Sequence, residues 1–497
     1  RSPQPVNIDL GLYCRQCIGG NMKSFTPFMN RCLAVLLPLA CISITIASQA
    51  AEQKLPNVLF VFADDFRADA ISALGNRTVK TPTLDSLVKR GLAFRNAYCL
   101  GANVGAVCTP SRNMLLSGRS YFRWSGPMAP GNPPNFPLSM QARGYETYHH
   151  GKKGNSAMAI QATFEINKYL KNDLEDRADG EPGRSIVDEA ISFISTRKKD
   201  RPFFMYLAFA NPHDPRVAAT KYMEMYKREE IRPPKNFRPV HLFDNGEMTI
   251  RDELLAPWPR TEEDICRHLH EYYAVISGLD HHIGRLLAAV RNQGLYDNTL
   301  VVFSADQGLA IGSHGLMGKQ NLYDASMKVP LIFAGPGIKH GQSEALVYLL
   351  DVYPTICDLV GGQGPKGLDG SSFAPVLKGK SDKHREALFL AYRHVQRAIR
   401  DEEWKLIRYP QINRSQLFNL DRDPDELNDL SGDPRQAKRI NSMLHRLQDL
   451  CARFGDTQSL SSRNPLPPEF VPPTGKVLEN MLRTHKIPES TRNPTKR

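Results

Sequence analysis

Cys108-Thr109-Pro110-Ser111-Arg112-Asn113-Met114-Leu115-Leu116-Ser117-Gly118-Arg119 is the stretch of this 497-residue chain densest in chemical signals. Thr109 is a good N-cap residue and Pro110 suits the first helical position, so a helix is expected to begin immediately after Cys108. The Cys108 thiol then stands at a helix N-terminus, where free N–H groups and the macrodipole favour anions. Arg112, one turn in, can reach back to the same point. A capped helix beside an ordinary cysteine satisfies the local pattern equally well, so the neighbouring segments have to decide.

Around this stretch, short β-rich apolar runs alternate with helical patterns, the signature of a parallel sheet flanked by helices. The runs are Asn57–Ala63, Phe203–Phe209, Leu300–Ser304 and Val329–Ala334, each bounded by polar, Gly or Pro residues. Between them, Ser185–Thr196 and Glu262–Asn292 read as helices, the second opening with acidic residues after Thr261. In an open parallel sheet, ligands sit beyond the carboxyl ends of the strands. Asp64-Asp65 lies just past the first run, Asn211-Pro212-His213-Asp214-Pro215 past the second and Asp306-Gln307-Gly308 past the third; Gly151-Lys152-Lys153 lies past Tyr145–His149. Four strand ends thus bring carboxylates, a carboxamide, a His and a Lys to one edge. Carboxylates with an amide oxygen are hard ligands suited to Ca²⁺ or Mg²⁺. Singly, an Asp after a strand is more often a turn former, and the His213 segment reads as a Pro-bounded loop. Turn chemistry does not require carboxylates at the same end of successive strands, and their recurrence there favours a site.

The texture changes near Asp382. Alternating segments from Ala387 to Leu420 predict a small antiparallel sheet, followed by a helix with Ile440, Met443, Leu444 and Leu447 on one face. Beyond Asp456 the chain is Pro-rich and basic, a tail rather than a domain. At the other end, Met29-Asn30-Arg31, the apolar Cys32–Ala47 and Ser48-Gln49-Ala50 have the form of a secretory signal. That run is short and polar-interrupted for a membrane anchor. The expected organisation is a leader and signal over 1–50, a catalytic domain over 51–381, an α+β subdomain over 382–455 and the tail over 456–497. The mature protein is expected outside the cytoplasm, periplasmic or extracellular, with no stable membrane anchor.

With 41% hydrophobic and 23% charged residues, the composition excludes a disordered or coiled-coil protein. The formal charge of +12 comes without a long basic run, which argues poorly for nucleic acid and is compatible with an anionic substrate. Of nine cysteines, Cys14, Cys17, Cys32 and Cys41 fall in the leader. Cys99, Cys108, Cys266, Cys357 and Cys451 remain, an odd number that leaves one thiol unpaired in an exported protein.

The string from Cys108 through Pro110, Ser111, Arg112, Leu115, Ser117 and Gly118 to Arg119 resembles the signature of the type I sulfatases, in the alkaline-phosphatase-like superfamily. The chain is similar to bacterial polysaccharide sulfatases, arylsulfatases and iduronate- or choline-sulfatase-like proteins. The resemblance runs over roughly Pro56–Leu430. It takes in Asp64-Asp65, Asp306-Gln307-Gly308, Gly318-Lys319 and Leu417-Phe418-Asn419-Leu420 with Asp423, Pro424 and Glu426. It implies an α/β fold: a large mixed, mostly parallel sheet sandwiched by helices, with a smaller C-terminal antiparallel sheet plus helix.

It also implies a sulfuric ester hydrolase acting on a sulfated carbohydrate. Cys108 would be oxidised to formylglycine by a formylglycine-generating enzyme, and one hydroxyl of its hydrate would attack sulfur while the other later expels sulfate. By position, Asp64, Asp65, Asp306 and Gln307, with the Cys108-derived group, would hold a cation, usually Ca²⁺, with Mg²⁺ or Mn²⁺ also compatible. Gln307 departs from the more frequent Asn or His but keeps an oxygen donor. Arg112 would orient the hydrate, and Lys152, His213 and Lys319 would contact sulfate, with His213 the favoured proton donor to the leaving alcohol. Gly154 and Asn155 stand where the family often has a His. His314, between Asp306 and Lys319, is expected to line the pocket. Specificity is expected from Tyr121–Asn135, Arg216–Pro259 and Tyr392–Arg400. Two other readings share these motifs: a phosphonate monoester or phosphodiester hydrolase, and an inactive polysaccharide-binding relative. Asn76-Arg77-Thr78 and Asn413-Arg414-Ser415 are glycosylation sequons where the host modifies exported chains.

Overall fold

Asn57–Asp64 is buried at every residue and apolar from Val58 to Ala63, as a central strand covered on both faces requires. In the computed structural model of the protein it is strand β1. The structure describes residues 54–171 and 179–487. The expected signal sequence and Cys14, Cys17, Cys32 and Cys41 lie outside the described residues.

The other strands of the main sheet are β2 (Leu92–Tyr98), β4 (Glu146–Gly151), β5 (Ile166–Tyr169), β6 (Phe203–Pro212), β7 (Thr299–Ala305), β8 (Leu331–Ala334) and β9 (Gly341–Tyr348). A two-residue strand, β3 (Gly101–Ala102), lies outside this sheet. Their order is β5-β4-β6-β1-β7-β8-β2-β9. All pairings are parallel except those of β8, antiparallel to both β7 and β2. This is the mixed, mostly parallel sheet that the sequence predicts. The expected strand Val329–Ala334 starts two residues late because Pro330 has no N–H for the ladder. Its carbonyl instead accepts from Ser304 Oγ at 2.7 Å.

The period-2 alternation of β1 divides the core. Leu59, Val61 and Ala63 face a layer formed by Pro82–Arg90, Arg184–Thr196 and the long helix Glu262–Asn292. Val58, Phe60 and Phe62 face the layer containing Met114, Leu115 and Leu116 of the helix Cys108–Ser117. The long helix has the expected bounds, with Thr261 Oγ1 accepting from Asp264 N at 3.1 Å as its N-cap.

The second sheet runs β13 (Arg414–Asn419), β12 (Trp404–Tyr409), β11 (Gln396–Asp401), β10 (Ala387–Tyr392), β3. Four strands form the expected antiparallel meander; β3 comes from the body and pairs parallel with Ala391–Tyr392. A Cβ at Gly101 would lie 1.9 Å from the Ala391 carbonyl oxygen, so only glycine permits this junction. From Lys54 onward the chain is one compact unit. Helix Ala437–Phe454 buries Met443, Leu447, Cys451 and Phe454 against the second sheet, with Ile440 and Leu444 partly covered. The tail lies on the body: Asp244 N donates to the Pro468 carbonyl at 2.7 Å and Leu466 N to that of Gln411 at 2.8 Å. It also contains an exposed helix, Gly475–Thr484, that its proline content did not predict.

Cys99, Cys108, Cys266, Cys357 and Cys451 are all free thiols, not one left over from two pairs. Cys108, Cys266, Cys357 and Cys451 sit on four different helices, and Cys99, between β2 and β3, packs against Met327. No helix among the described residues is long and apolar enough to cross a membrane.

Asp351 joins the two parts of the unit. Fully buried, it accepts from Tyr348 N and Ser371 N, both at 2.9 Å, and from Arg385 Nε at 2.8 Å. Asp351→Ala leaves the guanidinium without its counter-charge, an uncompensated buried ion. A loss of about 3–5 kcal/mol is expected, measured as a lower urea midpoint. A drop under about 1 kcal/mol would mean that Arg385 reaches water or another acceptor.

Candidate active site

The adjacent parallel strands β4, β6, β1 and β7 end along one edge of the sheet, and the residues at and just past their ends meet there. Asp64 closes β1, and Asp65 follows in a left-handed conformation (φ +61°), a strained backbone of the kind found at functional sites. Asp306 and Gln307 follow β7, His213 follows β6 and Lys152 follows β4. Asp65 is pinned through its own backbone: its N–H donates to Asp306 Oδ1 at 3.0 Å and its carbonyl accepts from Tyr272 OH at 2.6 Å.

The helix N-terminus points at this edge, two residues before the Thr109 cap and Pro110 start that the sequence suggests. Cys108 is itself the first residue of the helix, Val107 holds the N-cap position, and Thr109 makes no capping bond. Thr109 N donates instead to the Ala106 carbonyl at 3.1 Å, a backbone turn that does the work assigned to a side-chain cap. The helix ends at Gly118 (φ +66°), whose N–H closes on Met114 O at 2.8 Å. A Cβ there would also lie 2.8 Å from the Tyr353 ring.

Eight of the expected site residues come together with Cys108. Its thiol donates to Asp64 Oδ1 at 3.2 Å, and Gln307 Nε2 and Lys319 Nζ approach the sulfur at 3.0 and 3.4 Å. Arg112, with no exposure, donates through Nε to Asp306 Oδ2 at 2.9 Å, and its Nη2 lies 3.7 Å from Asp64. Lys152 pairs with Asp64 Oδ2. Lys319 Nζ bonds both Asp65 oxygens at 2.8 and 2.9 Å. His213 Nε2 lies 3.7 Å from Asp65 Oδ2, and its Nδ1 is 2.7 Å from the Asp214 carbonyl. A carbonyl only accepts, so Nδ1 carries a proton and Nε2 is the nitrogen turned towards Asp65.

Three carboxylates thus face three fixed cations, all six side chains buried. Burial opposes charge on Asp64, but Lys152 and then Arg112 outweigh it and hold its carboxyl well below the usual range. Asp306 goes the other way: burial and then the Asp64 charge push it up to about 7 against the pull of Arg112. Burial disfavours the Lys319 ammonium, yet Asp65 more than restores it and its pKa rises. The Cys108 thiol is raised well above normal by burial, then by Asp306 and Asp64. It stays protonated, the weak form of a sulfur nucleophile.

Asp64, Asp65, Cys108 and Asp306 each offer a ligand atom, all within 4.8 Å of one another. Gln307 Oε1 is buried without a hydrogen-bond partner among the described residues, while Nε2 sits 2.5 Å from Asp65 Oδ1. Half a turn of the amide exchanges the two atoms and adds an oxygen to the carboxylate group. The donor set therefore fits a hard divalent cation.

The structure does not bring His314 to this cluster. Its ring stacks on Tyr323 at 3.7 Å, bonds Asn236 through Nε2 at 3.1 Å and lies 3.9 Å from Glu426. Gly154 and Asn155 are exposed, and the partners of Cys108 are Asp64, Gln307 and Lys319. A second ring of charge escaped sequence reasoning. Arg251 Nη1 bonds Asp214 Oδ1 at 2.7 Å and Asp252 Oδ1 at 3.0 Å, and Asp252 Oδ2 lies 3.9 Å from Lys319 Nζ. Asp214 carried a signal beside His213; Arg251 and Asp252 open a short 3-10 helix, Arg251–Leu255, inside the Arg216–Pro259 stretch, which was expected to shape specificity but has no period that singles them out.

The family described as sulfatase matches residues 56–362, and the C-terminal region of N-sulphoglucosamine sulphohydrolase matches residues 312–453. An N-acetylglucosamine-6-O-sulfatase of Bacteroides thetaiotaomicron is 26% identical over 521 residues, covering 85% of this chain and 91% of that protein. An ulvan-active sulfatase of Formosa agariphila is 29% identical over 450 residues, covering 82% and 83%. A solved structure in complex with its substrate D-glucosamine-2-N,6-O-disulfate shares the fold, with a TM-score of 0.70 at 23% identity over 82% of this chain and 100% of that one. The sulfatase match alone spans more than half of the chain, which belongs to the sulfatase family of sulfuric ester hydrolases.

Proposed function

We propose that this protein is exported and removes sulfate from a carbohydrate, with Cys108 oxidised to formylglycine and a divalent cation, Ca²⁺ first, held by Asp64, Asp65, Asp306 and Gln307. The observation that carries the reading is a thiol kept protonated at the head of a helix, enclosed by carboxylates and three fixed cations. Oxidation by a formylglycine-generating enzyme supplies what the thiol lacks, a hydrated aldehyde with two hydroxyl groups. The cation, when bound, supplies Lewis acidity at the sulfate oxygens and lowers the pKa of the attacking hydroxyl.

The remaining tasks fall to the chain. Arg112 fixes Asp306 and Asp64 from behind. Lys152 and Lys319 place ammonium groups beside the nucleophile position, where they stabilise charge developing on sulfate oxygens. His213, oriented at Nδ1 by the Asp214 carbonyl, donates its Nε2 proton to the departing alcohol. A carbohydrate substrate is supported by the activities for which the two relatives are named, one on N-acetylglucosamine 6-O-sulfate and one on ulvan. Export is supported by the signal-like Met29–Ala50.

The test is the mass of the peptide containing residue 108, from protein produced with a formylglycine-generating enzyme. Conversion of the thiol to the nucleophile's aldehyde removes about 18 Da. An unmodified thiol, in a preparation where a control sulfatase is converted, would overturn the nucleophile assignment. Faster hydrolysis of a phosphonate monoester than of an aryl sulfate would overturn the reaction class.

A further inference from the structure

A cleft of about 460 Å³ opens where Asn103, Tyr121, Phe122, Trp124, Arg393 and His394 meet. It unites two of the segments expected to shape specificity, Tyr121–Asn135 and Tyr392–Arg400, although they lie far apart in sequence. Both walls are tied to catalytic segments. Asn103 stands on the stretch that leads from β3 into Cys108. Arg393 opens the tight hairpin between β10 and β11 in a left-handed conformation (φ +44°), with its N–H on the Ala102 carbonyl at 2.6 Å. Gln396, at the base of the same hairpin, donates to the carbonyl of Gln320, beside Lys319, at 3.3 Å. Gln320 in turn donates to the Gly105 carbonyl at 3.0 Å. The cleft is therefore fixed in position relative to both Lys319 and Cys108.

Its chemistry is that of a surface made for a sugar ring. Phe122 is braced by Tyr121 at 4.3 Å and Phe389 at 5.9 Å, and Trp124 beside it is half-buried. Trp124 Nε1 and Asn103 Oδ1 are buried without a hydrogen-bond partner among the described residues, so the protein does not meet its own polar demand there. Arg393 is already paired with Glu247, so the wall offers hydrogen-bond donors without an excess of positive charge. Aromatic faces with a polar rim suit a pyranose, whose C–H face packs while its hydroxyls bond.

We propose that this cleft binds an uncharged sugar residue adjoining the one that bears the scissile sulfate. The enzyme then reads an oligosaccharide, with Trp124 its main specificity determinant. The proposal rests on the carbohydrate-sulfatase reading, and its test has an arm independent of turnover.

In that arm, calorimetry measures binding of unsulfated disaccharides of glucose, galactose and N-acetylglucosamine to the wild type, Trp124→Ala and Trp124→Phe. Saturable binding of at least one disaccharide is expected, weakened about tenfold by Trp124→Ala and largely kept by Trp124→Phe. In the second arm, kcat/KM is compared for 4-nitrophenyl sulfate, a 6-O-sulfated N-acetylglucosamine and the same sugar within a disaccharide. Trp124→Ala is expected to lower the disaccharide value about tenfold, chiefly through KM, and the other two by less than about twofold. Absence of saturable binding by the whole panel overturns the subsite, as does an equal loss on all three substrates. Binding without any sulfate hydrolysis by the converted enzyme overturns the sulfatase reading and leaves the subsite standing.

Discussion

Cys108→Ala is expected to reduce sulfate-ester turnover on the order of 10⁴-fold or more, as removal of a covalent nucleophile does elsewhere. Nothing else in the cluster can take over. The neighbouring groups are carboxylates committed to Arg112, Lys152 and Lys319, and those cations are donors. The fold should hold. Alanine is a good first-turn residue, the helix is secured by backbone bonds at both ends, and losing one buried thiol costs about 1 kcal/mol. The measurement is kcat on 4-nitrophenyl sulfate beside thermal unfolding of the same sample. Turnover above about 1% of wild type with an unchanged melting curve would move the nucleophile to another residue.

Asp306→Ala is expected to lose cation binding and activity together, the latter on the order of 10³-fold. Asp306 is the hub of the site. Oδ1 accepts from the backbone of Asp65 and Gln307, both at 3.0 Å, Oδ2 takes Arg112, and its carbonyl accepts from Ser111 Oγ at 2.5 Å. Truncation leaves the buried Arg112 the longer contact with Asp64 and 3.4 Å bonds to the Ala63 and Phe209 carbonyls, so part of the loss will be structural. Asp306→Asn limits the structural loss, because its Oδ1 still accepts from both N–H groups, while its NH2 takes the place of the oxygen that accepts from Arg112. Undiminished divalent-cation binding by Asp306→Asn in calorimetry would contradict the ligand assignment.

The same residue sets a pH dependence. Its carboxyl, pushed up to about 7 in the cation-free protein, holds a proton that a cation must displace. Cation affinity should therefore weaken as pH falls below about 7, by up to tenfold per unit, and level off above it. A flat profile between pH 5 and 7, on the order of that range, would mean that Asp306 is already ionised without the cation.

Much of the site was legible in the chain because it depends on local rules. A buried parallel strand shows itself as an unbroken apolar run, and the residue that ends the run lies at the ligand edge of the sheet. Asp64, Asp65, Asp306, His213 and Lys152 were found that way, and the Cys108–Arg119 string named the family. The long helix Glu262–Asn292 was read to its bounds because an acidic first turn, a capping Thr and sustained amphipathicity all agree there.

Tertiary structure decided what depends on partners far away in sequence. Thr109 lost the capping role because Ala106 and Val107 had already turned the backbone. His314 went to Tyr323 and Asn236 because its left-handed turn (φ +55°) packs against that wall, a placement that spacing from Asp306 does not encode. The docking of Gly101–Ala102 onto Ala391–Tyr392, the Asp214–Arg251–Asp252 ring and the cleft between Trp124 and Arg393 exist only once distant loops are fixed. By itself, then, the sequence determined the fold class, the family and the inner ring of the site, since periodicity and motif spacing act over a few residues. The outer ring and the sugar-facing surface were left to packing, because irregular loops carry no period and take their shape from what they touch.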